Sequence, residues 1–223
     1  MAQWISSSCD RFTTADFSFL SDLLAPGEGQ RHLWTLWEDP EALREMLDLK
    51  EVFRGLLDIP GALPVSPQFY FYVLVRHSFL DAGIDDPQVA DFVAGVMSER
   101  VATNPSDVLT GVPGGLTHAA DFVSILENAH GRLRFHLQIA AGNQFLVLTG
   151  LFPGYLQKRC VRGGAPGLEF YENFASRVYK EASENTAAPR GVPRRMFGEL
   201  SECLHDARCS LNRVAEEFVF LGD

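Results

Sequence analysis

One long stretch of the sequence, residues 135–157, contains no lysine, arginine, aspartate or glutamate. Its length matches that of a membrane span, which needs roughly 20 mostly apolar residues. Four polar residues nevertheless interrupt it: His136, Gln138, Asn143 and Gln144. Pro153 would also break a spanning helix, and the remaining residues are not apolar enough to offset these insertions. We therefore predict no membrane span and interpret the stretch as part of a buried central helix near residues 118–150.

Three helix starts carry the same signal, a side chain that can cap a helix followed by proline at the first helical position. The three pairs are Asp39-Pro40, Ser66-Pro67 and Asp86-Pro87. Apolar residues at helical spacing follow each pair, which predicts helices over residues 40–58 and 67–81 and a third beginning at Pro87. The second helix opens with the strand-like composition QFYFYVLV, but its length without a turn signal favours a helix.

The rest of the chain also has a helical pattern. Helices are predicted near residues 15–24, 168–184 and 193–220, and the helix over residues 118–150 is expected to bend at Gly131. Repeats, phosphate-binding loops and dinucleotide fingerprints are not found in the sequence, and the linkers are too short to divide it. We predict an all-α fold, with residues 1–223 forming a single domain built as a bundle of about seven helices.

The charge balance bears on the class of partner. The chain of 223 residues has 19 lysines and arginines against 29 acidic residues, a formal charge of -10. This charge repels a phosphate backbone unless the basic residues are strongly segregated. Two basic groups are present, Lys158, Arg159 and Arg162, and further on Arg190, Arg194 and Arg195. We interpret both as solvated loops or helix ends and expect no nucleic-acid partner.

The four cysteines are Cys9, Cys160, Cys203 and Cys209. They form no Cys-x-x-Cys pair, and the first residues form neither a basic leader nor an apolar run. We expect free thiols and a cytoplasmic location, with Cys203 and Cys209 acting as small core residues of the last helix. Because the sequence contains no Gly-x-Ser-x-Gly or comparable nucleophile frame, we predict no recognisable catalytic machinery.

The spacing Glu-x-x-His occurs twice, at Glu127/His130 and at Glu202/His205. On a helix, residues three apart share a face. Two more helices supply carboxylates, from Glu99 and from Glu169 or Glu172. This order resembles the ferritin-like di-iron carboxylate proteins, in which two helices each give one Glu and two give Glu-x-x-His. The resemblance is confined to these motif positions within residues 87–220, and it implies a dimetal oxidoreductase holding iron or manganese.

Helical periodicity argues against this alternative. In the last predicted helix, Glu202 lies about 200° from the apolar Leu200 and therefore points outward. Glu127 and His130 flank an inward stripe formed by Ala119, Phe122, Leu126, Ala129, Leu133 and Leu137. We therefore interpret both motifs as surface Glu–His pairs and expect no cofactor.

A polar stripe runs along the predicted central helix, and its members are Asn128, Arg132, His136 and Asn143. Their spacing places them on one face. His136 and Asn143 fall in the apolar half, where each needs a hydrogen-bonding partner that Tyr70, His77 or Glu99 could supply. Two interpretations stay open: a polar cleft that binds a small molecule, with His136 titrating near neutrality, and a core network that fixes helix register. We favour the network.

The leading functional prediction is a soluble all-α module that binds a partner. The sequence has enough apolar and aromatic residues, including 17 Phe, to form a helical groove or a dimer face. The expected partner is a second copy of the chain or another protein. A small-molecule ligand near His136 is the alternative binding function, and the dimetal oxidoreductase is the enzymatic one.

Overall fold

The computed structural model describes residues 7–26, 39–59, 64–101 and 119–218. Within these ranges the chain forms a 3-10 turn, Cys9–Arg11, and eleven α-helices, with no β-strand. The helices are α1 (Thr14–Leu24), α2 (Pro40–Leu47), α3 (Lys50–Leu57), α4 (Pro67–Asp81), α5 (Pro87–Val101), α6 (Ala119–Asn128), α7 (Gly131–Leu151), α8 (Pro153–Gly163), α9 (Leu168–Glu184), α10 (Arg194–Glu202) and α11 (Leu204–Phe218). The predicted all-α helical bundle is confirmed.

The three proline-marked helix starts form as the sequence predicts. The Asp39 carboxylate accepts hydrogen bonds from the backbone N–H groups of Glu41 and Ala42 at the start of α2. The Ser66 hydroxyl accepts from the Phe69 N–H at the start of α4. Asp86 Oδ1 accepts from the Gln88 N–H, at 2.7 Å, at the start of α5. These side chains satisfy donors that the first turn of a helix leaves without partners.

More helices form than were predicted, because three of the predicted helices are each divided in two. The helix predicted over residues 40–58 breaks where Leu49 is extended. The helix predicted over residues 118–150 breaks at His130, which is extended, and Gly131, which has a φ of 57° that glycine adopts readily. Its predicted first residue, His118, lies outside the described residues. The last predicted helix breaks at Cys203.

The remaining additional helix is α8, over residues predicted to form the end of the charge-free stretch and a loop. Pro153 occupies its first turn, where a proline needs no N–H partner. Gly164 ends it in the left-handed conformation, with a φ of 61°. The proline that was interpreted as a helix breaker therefore starts a new helix.

The break between α2 and α3 is tied to the buried side of α4. Arg76 of α4 is 5% exposed and makes two hydrogen bonds of 2.7 Å to the two carboxylate oxygens of Asp48. His77, also buried, lies with Nε2 2.9 Å from the Leu47 carbonyl and stacks on the Phe53 ring. Both α4 side chains thus hold the turn between the two short helices.

The core is centred on α7, whose residues 141–151 are all buried. Its principal neighbours are α9 and α11. Each of the eleven described α-helices contributes to one cluster of buried apolar side chains. No described helix is long and apolar enough to cross a membrane.

The packing of α9 on α7 requires glycine at position 142. A Cβ atom there would lie 2.6 Å from Cε1 and Cζ of Tyr179, closer than real contacts allow. Tyr179 cannot easily move, because it is fully buried, its hydroxyl donates to Asn143 Oδ1 at 2.7 Å, and its ring stacks on Phe197. Glycine has a low helix propensity, but at position 142 it allows the Tyr179 ring to lie against the backbone of α7.

We predict that Gly142→Ala lowers the free energy of unfolding by about 1–3 kcal/mol, the usual cost of overpacking a core. Alanine favours a helix over glycine by about 1 kcal/mol, which offsets only part of that cost. Gly154→Ala in α8 is the matched control, since a Cβ there has no neighbour within 4 Å. Urea unfolding should show Gly154→Ala unchanged or slightly more stable. Equal effects of the two substitutions would contradict the close packing.

A second prediction concerns His77 and pH. Burial lowers the pKa of His77 below its ordinary value. The unfolded chain therefore takes up a proton at His77 more readily than the folded chain does. The contribution of neutral His77 to stability is complete above the unfolded pKa of about 6.5 and is lost as the pH falls below that value. We expect the melting temperature to fall between about pH 7 and pH 5, and to fall less in His77→Phe. His130→Phe, at an exposed histidine, should keep the wild-type slope.

Candidate functional site

The two Glu-x-x-His motifs do not lie on continuous helices. Glu127 is in α6, whereas His130 precedes the first residue of α7. Glu202 ends α10, and His205 is in α11 beyond the break at Cys203. Neither pair therefore lies within one continuous helix, because a helix break falls inside both motifs.

The individual metal-ligand candidates are either paired with another residue or exposed to solvent. Glu99 pairs with Arg11, at 3.2 Å between Oε1 and Nη1. Glu127, His130 and Glu202 are exposed. Within the described residues, no group of three or more His, Cys, Asp or Glu side chains is placed to hold a metal ion. The dimetal arrangement therefore gains no support from the described part of the chain.

The polar stripe is also divided by the break before α7. Asn128 belongs to α6 and donates to the Ser124 carbonyl, at 2.8 Å, in its own helix. The expectation that it shares a face with His136 and Asn143 is therefore wrong. Arg132, in the first turn of α7, is exposed, and His136 is half-buried beside the Phe135 ring. Leu133, expected to face inward, is 61% exposed because α7 starts with a new phase after the break.

Three other predicted ligand-binding residues hydrogen-bond to different parts of the core. Asn143 accepts from the Tyr179 hydroxyl. His77 bonds to the Leu47 carbonyl, and the Tyr70 hydroxyl donates to the Phe218 carbonyl at 2.9 Å. Burial raises the pKa of Tyr70. These bonds join different parts of the chain, and the described partner of Asn143 is Tyr179 and not Tyr70, His77 or Glu99, which the sequence suggested.

A different polar cluster lies where α9 and α11 meet, and we call it the Cys209 cluster. Its members are Glu172, His205, Arg208, Cys209 and Asn212. His205 Nδ1 lies 2.8 Å from Glu172 Oε1, and His205 Nε2 lies 3.6 Å from Cys209 Sγ. Arg208 donates to Cys209 Sγ at 3.0 Å and to Glu172 Oε2 at 2.5 Å. The thiol of Cys209 therefore lies next to the imidazole of His205, and that imidazole lies next to the carboxylate of Glu172.

The cluster is held rigidly by the end of α7. The Asn212 amide donates to the carbonyls of Thr149 and Gly150, and its oxygen accepts from Arg208 at 2.7 Å. Glu172 and Arg208 are largely buried, whereas the His205 side chain is 66% exposed. The buried pair orients a histidine that remains accessible from outside.

Sequence reasoning missed this cluster because it placed Cys209 in the core. The apolar side continues through the break at Cys203, since Leu200, Leu204, Ala207, Leu211 and Val214 are all buried. Cys209 lies two residues from Leu211, about 200° away, so the helical spacing itself places it away from that side. One signal was available, since His205 and Cys209 are four residues apart and share a face of α11. Glu172 was named only as a possible metal ligand.

The four cysteines are free and differ in their surroundings. Burial raises the pKa of Cys9 to about 12 and that of Cys203 to about 11. Both thiols are therefore protonated at neutral pH and poorly nucleophilic. Cys160 in α8 is half-buried, as is Cys209.

The second candidate surface is the outer side of α8. Only Leu156 of this helix is buried. The surface, called here the α8 face, presents Tyr155, Lys158, Arg159, Val161 and Arg162. Two shallow, solvent-open cavities of about 410 Å³ and about 290 Å³ lie along it and share Lys158 and Arg162. Val161 is 81% exposed.

The α8 face and the Cys209 cluster are thus two features of the described residues whose chemistry could serve a function. The first combines positive charge with apolar surface, and the second places an imidazole against a thiol. Comparison with protein-family models, with curated proteins and with solved structures finds no match to this chain.

Proposed function

We propose that this chain is a helical protein-interaction module that binds an acidic, partly apolar segment of a partner protein on the α8 face. The observation that carries the proposal is the charge of α8. Its sequence, PGYLQKRCVRG, has three basic residues and no acidic one, in a chain whose formal charge is -10. An acidic partner is attracted to this helix while it is repelled by the molecule as a whole, which favours one orientation of docking.

The spacing of the basic residues favours an anionic occupant. Lys158 and Arg162 are four residues apart, and Arg159 and Arg162 are three apart, so their charges are neighbours on the helix surface. Like charges at these spacings destabilise a helix by a few tenths of a kcal/mol each. A bound carboxylate removes that repulsion. Arg159 is positioned by the Tyr155 ring, which lies 5.6 Å from its guanidinium carbon.

The apolar part of the α8 face favours a peptide over a phosphate backbone. Val161 is an aliphatic side chain almost fully exposed to water, and it lines the smaller cavity together with Lys158 and Arg162. Burying it would add a hydrophobic contribution to an electrostatic contact. A segment that alternates acidic and aliphatic residues has both properties, whereas a phosphate backbone supplies the charge but no aliphatic side chain to cover Val161.

A cytoplasmic location belongs to the same proposal. Four free thiols suit a reducing compartment, where cysteines do not pair.

The test is binding of a fluorescein-labelled peptide of alternating glutamate and leucine, followed by fluorescence anisotropy at low salt. We expect Lys158→Glu/Arg162→Glu to weaken binding at least about tenfold, because it removes two attractive charges and adds two repulsive ones. The matched control is Arg54→Glu/Arg190→Glu, which changes the net charge equally at two exposed arginines outside α8. The control should remain within about twofold of wild type.

Two results would contradict the proposal. An equal loss in both variants would mean that only the net charge matters. No binding by the wild type at millimolar peptide would mean that the α8 face does not recognise this chemistry. Circular dichroism of both variants should match the wild type, since the substituted side chains are exposed.

A further inference from the structure

We propose that Cys209 is a site of reversible S-thiolation, at which its thiol exchanges with a low-molecular-weight disulfide. This proposal is independent of the α8 face. It rests on the order of groups in the Cys209 cluster, a carboxylate on an imidazole and the imidazole on a thiol, with a guanidinium directed at the same sulfur.

The histidine is oriented to accept the proton of the thiol. Glu172 is held by Arg208, so its carboxylate accepts a hydrogen bond and His205 Nδ1 is the nitrogen that donates. The lone pair of Nε2 is then directed at Cys209 Sγ, 3.6 Å away. This is the arrangement by which a carboxylate sets the tautomer of a base beside a nucleophile.

The arginine stabilises negative charge on the sulfur. Arg208 Nη2 donates to Sγ at 3.0 Å, and the guanidinium is fixed in place by Glu172 and Asn212. A cation and an imidazole beside a thiol are what distinguish reactive cysteines from structural ones. The nearest exposed charged residues along α11, Asp206 and Arg213, carry opposite charges.

The exchange balances without another reactant. The Cys209 thiol transfers its proton to His205 Nε2, and Sγ attacks one sulfur of the disulfide. The S–S bond of the reagent breaks, the departing sulfur is reduced and takes the proton from His205, and Cys209 becomes oxidised in a mixed disulfide. Attack by a free thiol reverses the step. The exposure of His205 leaves room for a small reagent beside the sulfur.

The experiment uses the full reduced chain with oxidised glutathione at pH 7, quenched by acid and followed at each cysteine by peptide mass spectrometry. We expect Cys209 to form its mixed disulfide at least about tenfold faster than Cys160, because His205 accepts the thiol proton as the sulfur attacks. Cys9 and Cys203 should react more slowly still, because burial raises the pKa of each. Dithiothreitol should restore the thiol.

His205→Gln provides the decisive variant, since glutamine can still bond to Glu172 but cannot take a proton from sulfur. We expect the Cys209 rate to fall to within about twofold of the Cys160 rate. His130→Gln, at an exposed histidine outside the cluster, should leave it unchanged. A Cys209 rate that matches Cys160 in the wild type, or that is unchanged by His205→Gln, overturns the proposal.

Discussion

The close approach of α9 to α7 at Gly142 is the constraint on which most of this fold depends. It allows the Tyr179 ring to lie against the backbone of α7, where its hydroxyl reaches Asn143. The ring also stacks on Phe197 of α10 and meets the edge of Phe92 of α5. Tyr179 of α9 therefore contacts α5, α7 and α10, and a side chain at position 142 would displace its ring from these contacts.

The same central helix positions both candidate functional features. At its C-terminal end, Gly150 permits close packing of Leu211, and a Cβ atom at position 150 would lie 3.0 Å from that side chain. This brings Asn212 within reach of the Thr149 and Gly150 carbonyls and so fixes Arg208 against Glu172 and Cys209. The helix α8 starts directly after Phe152. The charge-free half of α7 thus ends beside both the Cys209 cluster and the α8 face.

Structural features that depend on residues close together in the sequence were predicted correctly. Helix starts at Asp39 and Ser66 follow from a cap and a proline, and the burial of residues 141–151 follows from the absence of charge. Helix breaks were predicted poorly, because their causes are distant in sequence. The turn at Asp48 is held by Arg76, 28 residues away, and no pattern near residue 48 announces that contact. Gly131 was noted, but a bend was predicted where its positive φ allows a complete break.

The break before α7 explains the errors along the polar stripe, since Asn128 and Leu133 lie on either side of it. The error at Cys209 has another cause, because Leu200, Leu204 and Leu211 stay on one buried side through the break at Cys203, and Cys209 lies about 200° from Leu211. The sequence placed Cys209 inside and treated His205 as half of a metal motif, whereas the two side chains meet each other across one turn of α11. Their partner Glu172 lies 33 residues from His205 on another helix. Pairing of this kind is set by tertiary packing, so recognising the thiol, imidazole and carboxylate as one unit required the packing of α9 against α11.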